Sequence, residues 1–263
     1  MPARAPVNAH EASPLGAGNI PYHVFGMKIT ILETGRPPDS IAEHFPTYPE
    51  MIESLISRVD SGFSYETLSL VEGAAADPAA LGDAVAITGS PCGVYDHTPW
   101  MDPLRDLIRR VAEVRRPMVG ICFGHQIIAD ALGGDVRKSE KGWGVGRHTY
   151  EILYAEPWMT DAGTAFSLSA SHQDQVITPP AGARTLARSA HTDHALLSYD
   201  FAPIVSMQGH PEFADAFSVA LYNARRGRGL SDEAADAAVE SMAVPEDNEL
   251  VAEWIARFMR TAR

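Results

Sequence analysis

The sequence predicts an α/β fold around a largely parallel sheet covered on both faces by helices. Three observations predict it. Short runs such as Ala84-Val85-Ala86-Ile87-Thr88 and Met118-Val119-Gly120-Ile121 are almost wholly apolar, as strands buried on both faces must be. Segments with apolar residues at helical spacing separate these runs, the clearest being residues 101–115. Glycine-bearing turns such as Thr34-Gly35 and Gly89-Ser90-Pro91 end them.

Taken in order, Lys28-Ile29-Thr30-Ile31-Leu32-Glu33 is the first expected strand. Residues 47–60 form a helix with Met51, Leu55, Ile56 and Val59 on one side, and Tyr65 to Leu70 a second strand. After a turn-rich connection from Gly73 to Gly82 comes the strand at Ala84 to Thr88. Leu104, Leu107, Ile108 and Val111 mark the next helix, closed by Pro117, and Met118 to Ile121 a fourth strand. A helix from about Gly124 to Leu132 stops at Gly133-Gly134. Residues 135–207 hold β-leaning runs at Val145 to Leu153, Ala165 to Ser169, Gln175 to Thr178, Thr185 to Ser189 and Ala195 to Tyr199. They are expected to extend the sheet in mixed or antiparallel fashion. Ile204 to Gln208 is one more buried strand. Helices are expected over 213–225, from the cap Ser231 through Met242, and from Glu246 to Met259.

The formal charge of −13 over 263 residues disfavours a nucleic-acid binder, since affinity for backbone phosphates comes mainly from clustered Lys and Arg. Two cysteines are too few for a disulfide scaffold, and no Cys/His spacing suits zinc. The expectation is therefore no metal and no cofactor, no membrane span and a cytoplasmic location. Residues 1–26 contain Pro2, Pro6, Pro14 and Pro21 but no apolar core of signal-peptide kind. They read as a flexible N-terminal extension to a single domain over 27–263, and Gly26-Met27-Lys28 is equally a natural domain start.

The chemistry centres on Cys122, in Gly120-Ile121-Cys122-Phe123-Gly124. A strand-to-helix turn flanked by glycines can present a nucleophile, and the following helix N-terminus favours a thiolate. Taken alone, the pattern fits a buried structural cysteine as well. His210 alone would be a packed or surface histidine. Position separates the readings: Cys122, His210 and Gly89-Ser90-Pro91 each follow a predicted strand, and in an open parallel sheet active groups gather beyond the C-terminal strand ends. Glu212, two residues past His210, is suited to orient its imidazole.

With these motifs in this order, the chain resembles the class I (triad) glutamine amidotransferase family over roughly residues 28–225. Pro117 through Gln126 is similar to the family's nucleophile elbow, and Gly209-His210-Pro211-Glu212-Phe213 to its His/Glu element. Ser171-His172-Gln173-Asp174-Gln175-Val176 is similar to the signature preceding that element, and Gly89-Ser90-Pro91 to its oxyanion-side loop. The resemblance implies a doubly wound, mostly parallel, flavodoxin-like sheet. It implies Cys122 as the nucleophile that forms a γ-glutamyl thioester, His210 as base and acid, and Glu212 as its orienter. It further implies backbone N–H groups of Phe123 and of Gly89-Ser90 as the oxyanion hole, Gln126 along the glutamyl moiety, and Ser171, His172 and Gln173 around its α-amino and α-carboxylate groups.

No glycine-rich lysine motif for ATP is present. The expected function is thus hydrolysis or transfer of a γ-glutamyl amide bond, as a glutaminase or γ-glutamyl peptidase acting on a small molecule. The alternative is a glutaminase subunit that supplies ammonia to a separate synthase partner. Asp96 to Trp100 and Lys141 to Gly146 resemble features of stand-alone members similar to the GMP synthase glutaminase domain and to γ-glutamyl peptidases. Trp100 is expected either to wall the pocket or to pack under the loop. Lys141 and Trp143 either border the leaving group or tip a hairpin. Cysteine peptidases and chaperone-like deglycases share a cysteine elbow but lack the His-Pro-Glu element.

Overall fold

The computed structural model describes residues 26–262. The expected extension over 1–26 lies outside them, Gly26 apart. Five strands form a parallel half-sheet: β1 (Met27–Glu33), β2 (Phe63–Ser69), β3 (Ala84–Ile87), β4 (Met118–Ile121) and, much later in the chain, β11 (Ile204–Met207). Their spatial order β2-β1-β3-β4-β11 is the doubly wound, flavodoxin-like order expected above. The sheet then continues antiparallel through β10 (Leu196–Tyr199), β9 (Ala183–Arg188), β6 (Gly144–Ile152) and β7 (Ala165–His172).

Alternation along the strands divides the core. Ile29, Ile31, Val119, Ile121, Val205 and Met207 face one side. There they meet α2 (Tyr48–Val59) through Ile52 and Ile56, and α7 (Asn248–Thr261) through Val251, Trp254 and Ile255. Leu32, Val85, Ile87 and Ile204 face the other, against α3 (Met101–Glu113) and α4 (Phe123–Ala131). The stripe Leu104, Leu107, Ile108 and Val111 is buried as its spacing predicts. A capping box of Thr47 and Glu50 starts α2. Two further helices, α5 (Asp215–Arg225) and α6 (Asp232–Ser241), pack near the end of the sheet where the motifs gather, with Phe213, Phe217 and Leu221 against Tyr48 and Met51.

The structure departs from expectation in the middle section. The run at Gln175 to Thr178 falls in β8 (Asp174–Thr178), which does not extend the main sheet. It pairs antiparallel with β5 (Asp135–Lys138) in a separate two-stranded ribbon. The composition Asp135-Val136-Arg137-Lys138 hides β5, because a largely exposed ribbon strand carries no apolar alternation to read. The short helix α1 (Asp39–Ala42) buries no residue and leaves no periodic signal either.

Candidate active site

The turn between β4 and α4 builds the centre. Cys122 sits at the N-cap of α4 with φ 53° and ψ −100°, a backbone conformation that non-glycine residues rarely hold. Its N–H donates to Met207 O at 2.8 Å, which ties the turn to the end of β11. The flanking glycines are required by close packing. A Cβ at Gly120 would lie 2.5 Å from the carbonyl oxygen of Gly124, and one at Gly124 would collide with that of Ile87. The strand end, turn and first helical turn therefore interlock at backbone contact, which can hold Cys122 in its strained conformation.

His210 arrives from the segment after β11, where its N–H donates to Ser169 O at 2.8 Å. Its Nδ1 lies 2.7 Å from Glu212 Oε1, and its ring stacks on Phe213 with centroids 3.9 Å apart and planes at 6°. A Cβ at Gly89 would come within 3.2 Å of His210 Cε1 and 3.8 Å of Cys122 Cβ, so the Gly89 backbone lies against both side chains. Burial works against a charged His210. The Glu212 carboxylate, the Cys122 sulfur and hydrogen bonds to both outweigh it and hold its pKa well above the ordinary histidine value. Among the described residues, the N–H groups of Gly89, Ser90 and Phe123 have no protein acceptor. They remain available to an anionic oxygen at this turn.

A cleft of about 160 Å³ opens from Cys122. Of the residues expected from sequence, Ser90, Gln126, Ser171, His172 and Gln173 line it. Their side chains are already engaged. Gln126 Nε2 donates to Asp174 O at 2.8 Å and to Gln208 Oε1 at 3.2 Å. The Gln173 side chain accepts from Lys138 Nζ at 3.1 Å. The Ser171 hydroxyl accepts from Arg225 at 2.9 Å. His172 is buried in a group with His148 and His191, ring centroids 5.6–6.3 Å apart. Burial drives His172 well below its ordinary pKa and His148 to about 4, so the group is neutral near pH 7. Phe123 turns its ring away from the cleft onto Trp100, centroids 5.6 Å apart. Trp100 thus packs under the loop, while Trp143 lines the cleft.

Three residues at the cleft escaped sequence reasoning. Gln208 Nε2 lies 3.6 Å from Cys122 Sγ, although Gln208 reads only as the end of a strand. Tyr95 donates its hydroxyl to the Asp174 carboxylate, 2.9 Å from either oxygen, and both residues line the cleft. Arg225, at the end of α5, enters the cleft from outside every motif. Tyr95 and Arg225 carry no local pattern that marks them. Gln208 immediately precedes the motif Gly209 to Phe213, and that adjacency is the signal that could have found it. Among the described residues no cluster of three or more His, Cys, Asp or Glu side chains could hold a metal ion, and no helix is long and apolar enough to cross a membrane.

The family profile for class I glutamine amidotransferases matches residues 59–216. The chain belongs to the class I glutamine amidotransferase family. Gamma-glutamyl peptidase 4 of Arabidopsis thaliana is 30% identical over 173 residues, covering 63% of this chain and 68% of the relative. The glutamine-hydrolysing GMP synthase subunit of Sulfolobus acidocaldarius is 32% identical over 130 residues, covering 49% of this chain and 67% of the relative. In fold, the chain is similar to a glutamine amidotransferase of Thermotoga maritima, with TM-score 0.69 at 18% identity, covering 89% of this chain and 96% of that one. A class I amidotransferase cleaves an amide of the glutamine type, and the cleft beside Cys122 is where this chain's motifs converge.

Proposed function

We propose that this amidotransferase-family chain hydrolyses a γ-glutamyl amide bond through a thioester on Cys122, as a glutaminase or γ-glutamyl peptidase. The carrying observation is the 2.7 Å contact of His210 Nδ1 with Glu212, which orients an imidazole that shares the Gly89 backbone with Cys122. In this reading the Cys122 thiolate attacks the γ-carbonyl carbon, and the developing oxyanion is held by the N–H groups of Phe123 and the Gly89-Ser90 turn. The C–N bond breaks as His210 gives its proton to the departing amine. Water then attacks the thioester and returns a proton to His210; the C–S bond breaks, releasing glutamate and restoring the thiolate. Gln208 steadies the sulfur, and Gln126, His172 and Gln173 shape the glutamyl side of the cleft.

Similarity to a γ-glutamyl peptidase and to a glutamine-hydrolysing GMP synthase component supports amide hydrolysis of this class. The second relative also favours a second reading, in which the chain is a glutaminase subunit that passes ammonia to a synthase. Glutamate release from glutamine, glutathione and simple γ-glutamyl amides by the isolated protein tests the first reading. Cys122→Ala is expected to lower turnover about 1,000-fold or more with an unchanged circular dichroism spectrum. Full turnover by that variant would remove Cys122 from the mechanism. Release seen only after a synthase is added would establish the second reading instead.

A further inference from the structure

Arg225 is a half-buried guanidinium with no carboxylate partner among the described residues. Its neighbour Arg226 pairs with Asp236 at 2.6 Å, and the buried Arg147 pairs with Asp215. The two carboxylates lining the same cleft are engaged elsewhere: Asp174 accepts from Tyr95, and Asp96 from the Gly93 N–H at 2.8 Å. Burial lowers the pKa of Arg225 by more than its neighbours Tyr48, Cys122 and Tyr222 raise it, so its charge is held at a net cost, with no carboxylate to relieve it among the described residues.

The group is also held in place. Its guanidinium carbon lies 4.8 Å from the centre of the Trp143 ring, and one of its N–H groups donates to Ser171. Its backbone carbonyl accepts from Arg228 at 2.9 Å and Leu230 at 3.3 Å. A guanidinium has five N–H donors in a planar fork that matches a carboxylate, and only one is spoken for here. An oriented, desolvated and unpaired arginine in a cleft is suited to an anionic ligand.

Placement indicates which part of the ligand. Phe217, Leu221 and Arg225 recur every fourth residue along one face of α5, in line with Phe213, on which His210 stacks. Arg225 also lies close enough to Tyr48 to act electrostatically on its phenol, and Tyr48 packs on Phe213, so Arg225 approaches the cleft from the side that carries the imidazole, which serves the departing amine. Gln126, Asp174 and Tyr95 belong to other elements, on α4, β8 and the loop after β3, while the Ser171 hydroxyl, expected around the glutamyl α-groups, accepts from Arg225 and stands at the boundary between the two sides.

We propose that Arg225, braced by Trp143 and Ser171, binds a carboxylate on the leaving amine. The preferred substrates are then γ-glutamyl amino acids or short γ-glutamyl peptides rather than glutamine. This rests on the γ-glutamyl reading above.

The test compares γ-glutamylglycine with γ-glutamylglycinamide, which differ only in that carboxylate, with glutamine as a third substrate. For the wild-type chain kcat/KM is expected to favour the acid over the amide. In Arg225→Gln the acid-to-amide ratio is expected to fall at least tenfold, mainly through KM, and Arg225→Lys is expected to fall between. The ratio is taken within one preparation, so partial misfolding cancels from it. An unchanged ratio, including an equal loss on both substrates, overturns the assignment. Wild-type turnover of glutamine without turnover of γ-glutamylglycine also overturns it while leaving the γ-glutamyl reading intact. Failure on all three substrates sinks that reading, and this assignment with it.

Discussion

The imidazole of His210 lies flat on the ring of Phe213, centroids 3.9 Å apart and planes at 6°. The same imidazole meets Glu212 through Nδ1, so its plane and its rotation within that plane are set by two different neighbours. Phe213 is itself pinned by Phe217, centroids 4.5 Å apart, and by Tyr48 at 5.6 Å. The pose of His210 thus depends on packing between α2 and α5 as well as on its carboxylate.

Phe213→Leu should expose that dependence. The aliphatic side chain keeps much of the buried volume but loses the ring stack, worth about 1 kcal/mol. Thermal unfolding is expected to shift by only a few degrees. Turnover of any accepted substrate should fall several-fold in kcat with little change in KM. A parallel loss of stability and activity would mean that the stack serves only the core.

Glu212→Gln keeps the shape of the side chain and removes its charge. The folded-state pKa of His210 is raised, so the stability this pairing contributes is fully present below the unfolded value of about 6.5 and is lost as the pH rises through the folded value. The stability gap between wild type and Glu212→Gln, read by urea unfolding, should therefore be widest near about pH 6 and narrow towards alkaline pH. If activity requires protonated His210, the alkaline limb of the rate profile should move to lower pH in the variant. kcat should drop by about 100-fold or more. An alkaline limb at the wild-type position would separate Glu212 from the titration of His210.

Arg147 lies behind the site with a fully buried side chain, paired with Asp215 and, at 3.6 Å, with Glu246. It also donates to Ser169 Oγ at 3.2 Å, and the Ser169 carbonyl accepts the N–H of His210. Arg147→Met is expected to destabilise the chain by about 3 kcal/mol, the lower end for a broken buried pair because both carboxylates are partly exposed. Denaturant midpoints measure this, and a change below about 0.5 kcal/mol would contradict it.

Gly124→Ala tests the interlocked turn. The new Cβ meets the carbonyl oxygen of Ile87 on a central strand, and neither backbone can give way cheaply. A cost of about 3 kcal/mol or more is expected, with loss of activity in whatever folds. A stable variant would show that β3 and α4 can separate without harm.

Much of this was legible in the chain itself. The buried strands Ala84–Ile87 and Met118–Ile121 announce themselves as apolar runs, and α3 by its spacing, because each pattern is written in adjacent residues. The elbow at Cys122 shows as two glycines around a nucleophile, since close backbone approach leaves room for nothing larger. The ribbon strand β5 did not show, being short, charged and largely exposed.

The sequence by itself therefore determined the parallel core, the strand-end turns and the residue types gathered on them. It also indicated that Cys122, His210 and Glu212 belong to one site, because each follows a strand that local pattern reveals. Only the tertiary structure decided what stands beside them. Gln208 reaches the cysteine from 86 residues away because β11 pairs with β4, and strand pairing at that distance leaves no periodic trace. Arg225 enters the cleft because packing of α5 against Tyr48 and Met51 aims its last turn there. A lone arginine at a helix end looks the same in sequence whether it meets solvent, an acid or a substrate. The difference lies in the low-dielectric surroundings that other segments build around it.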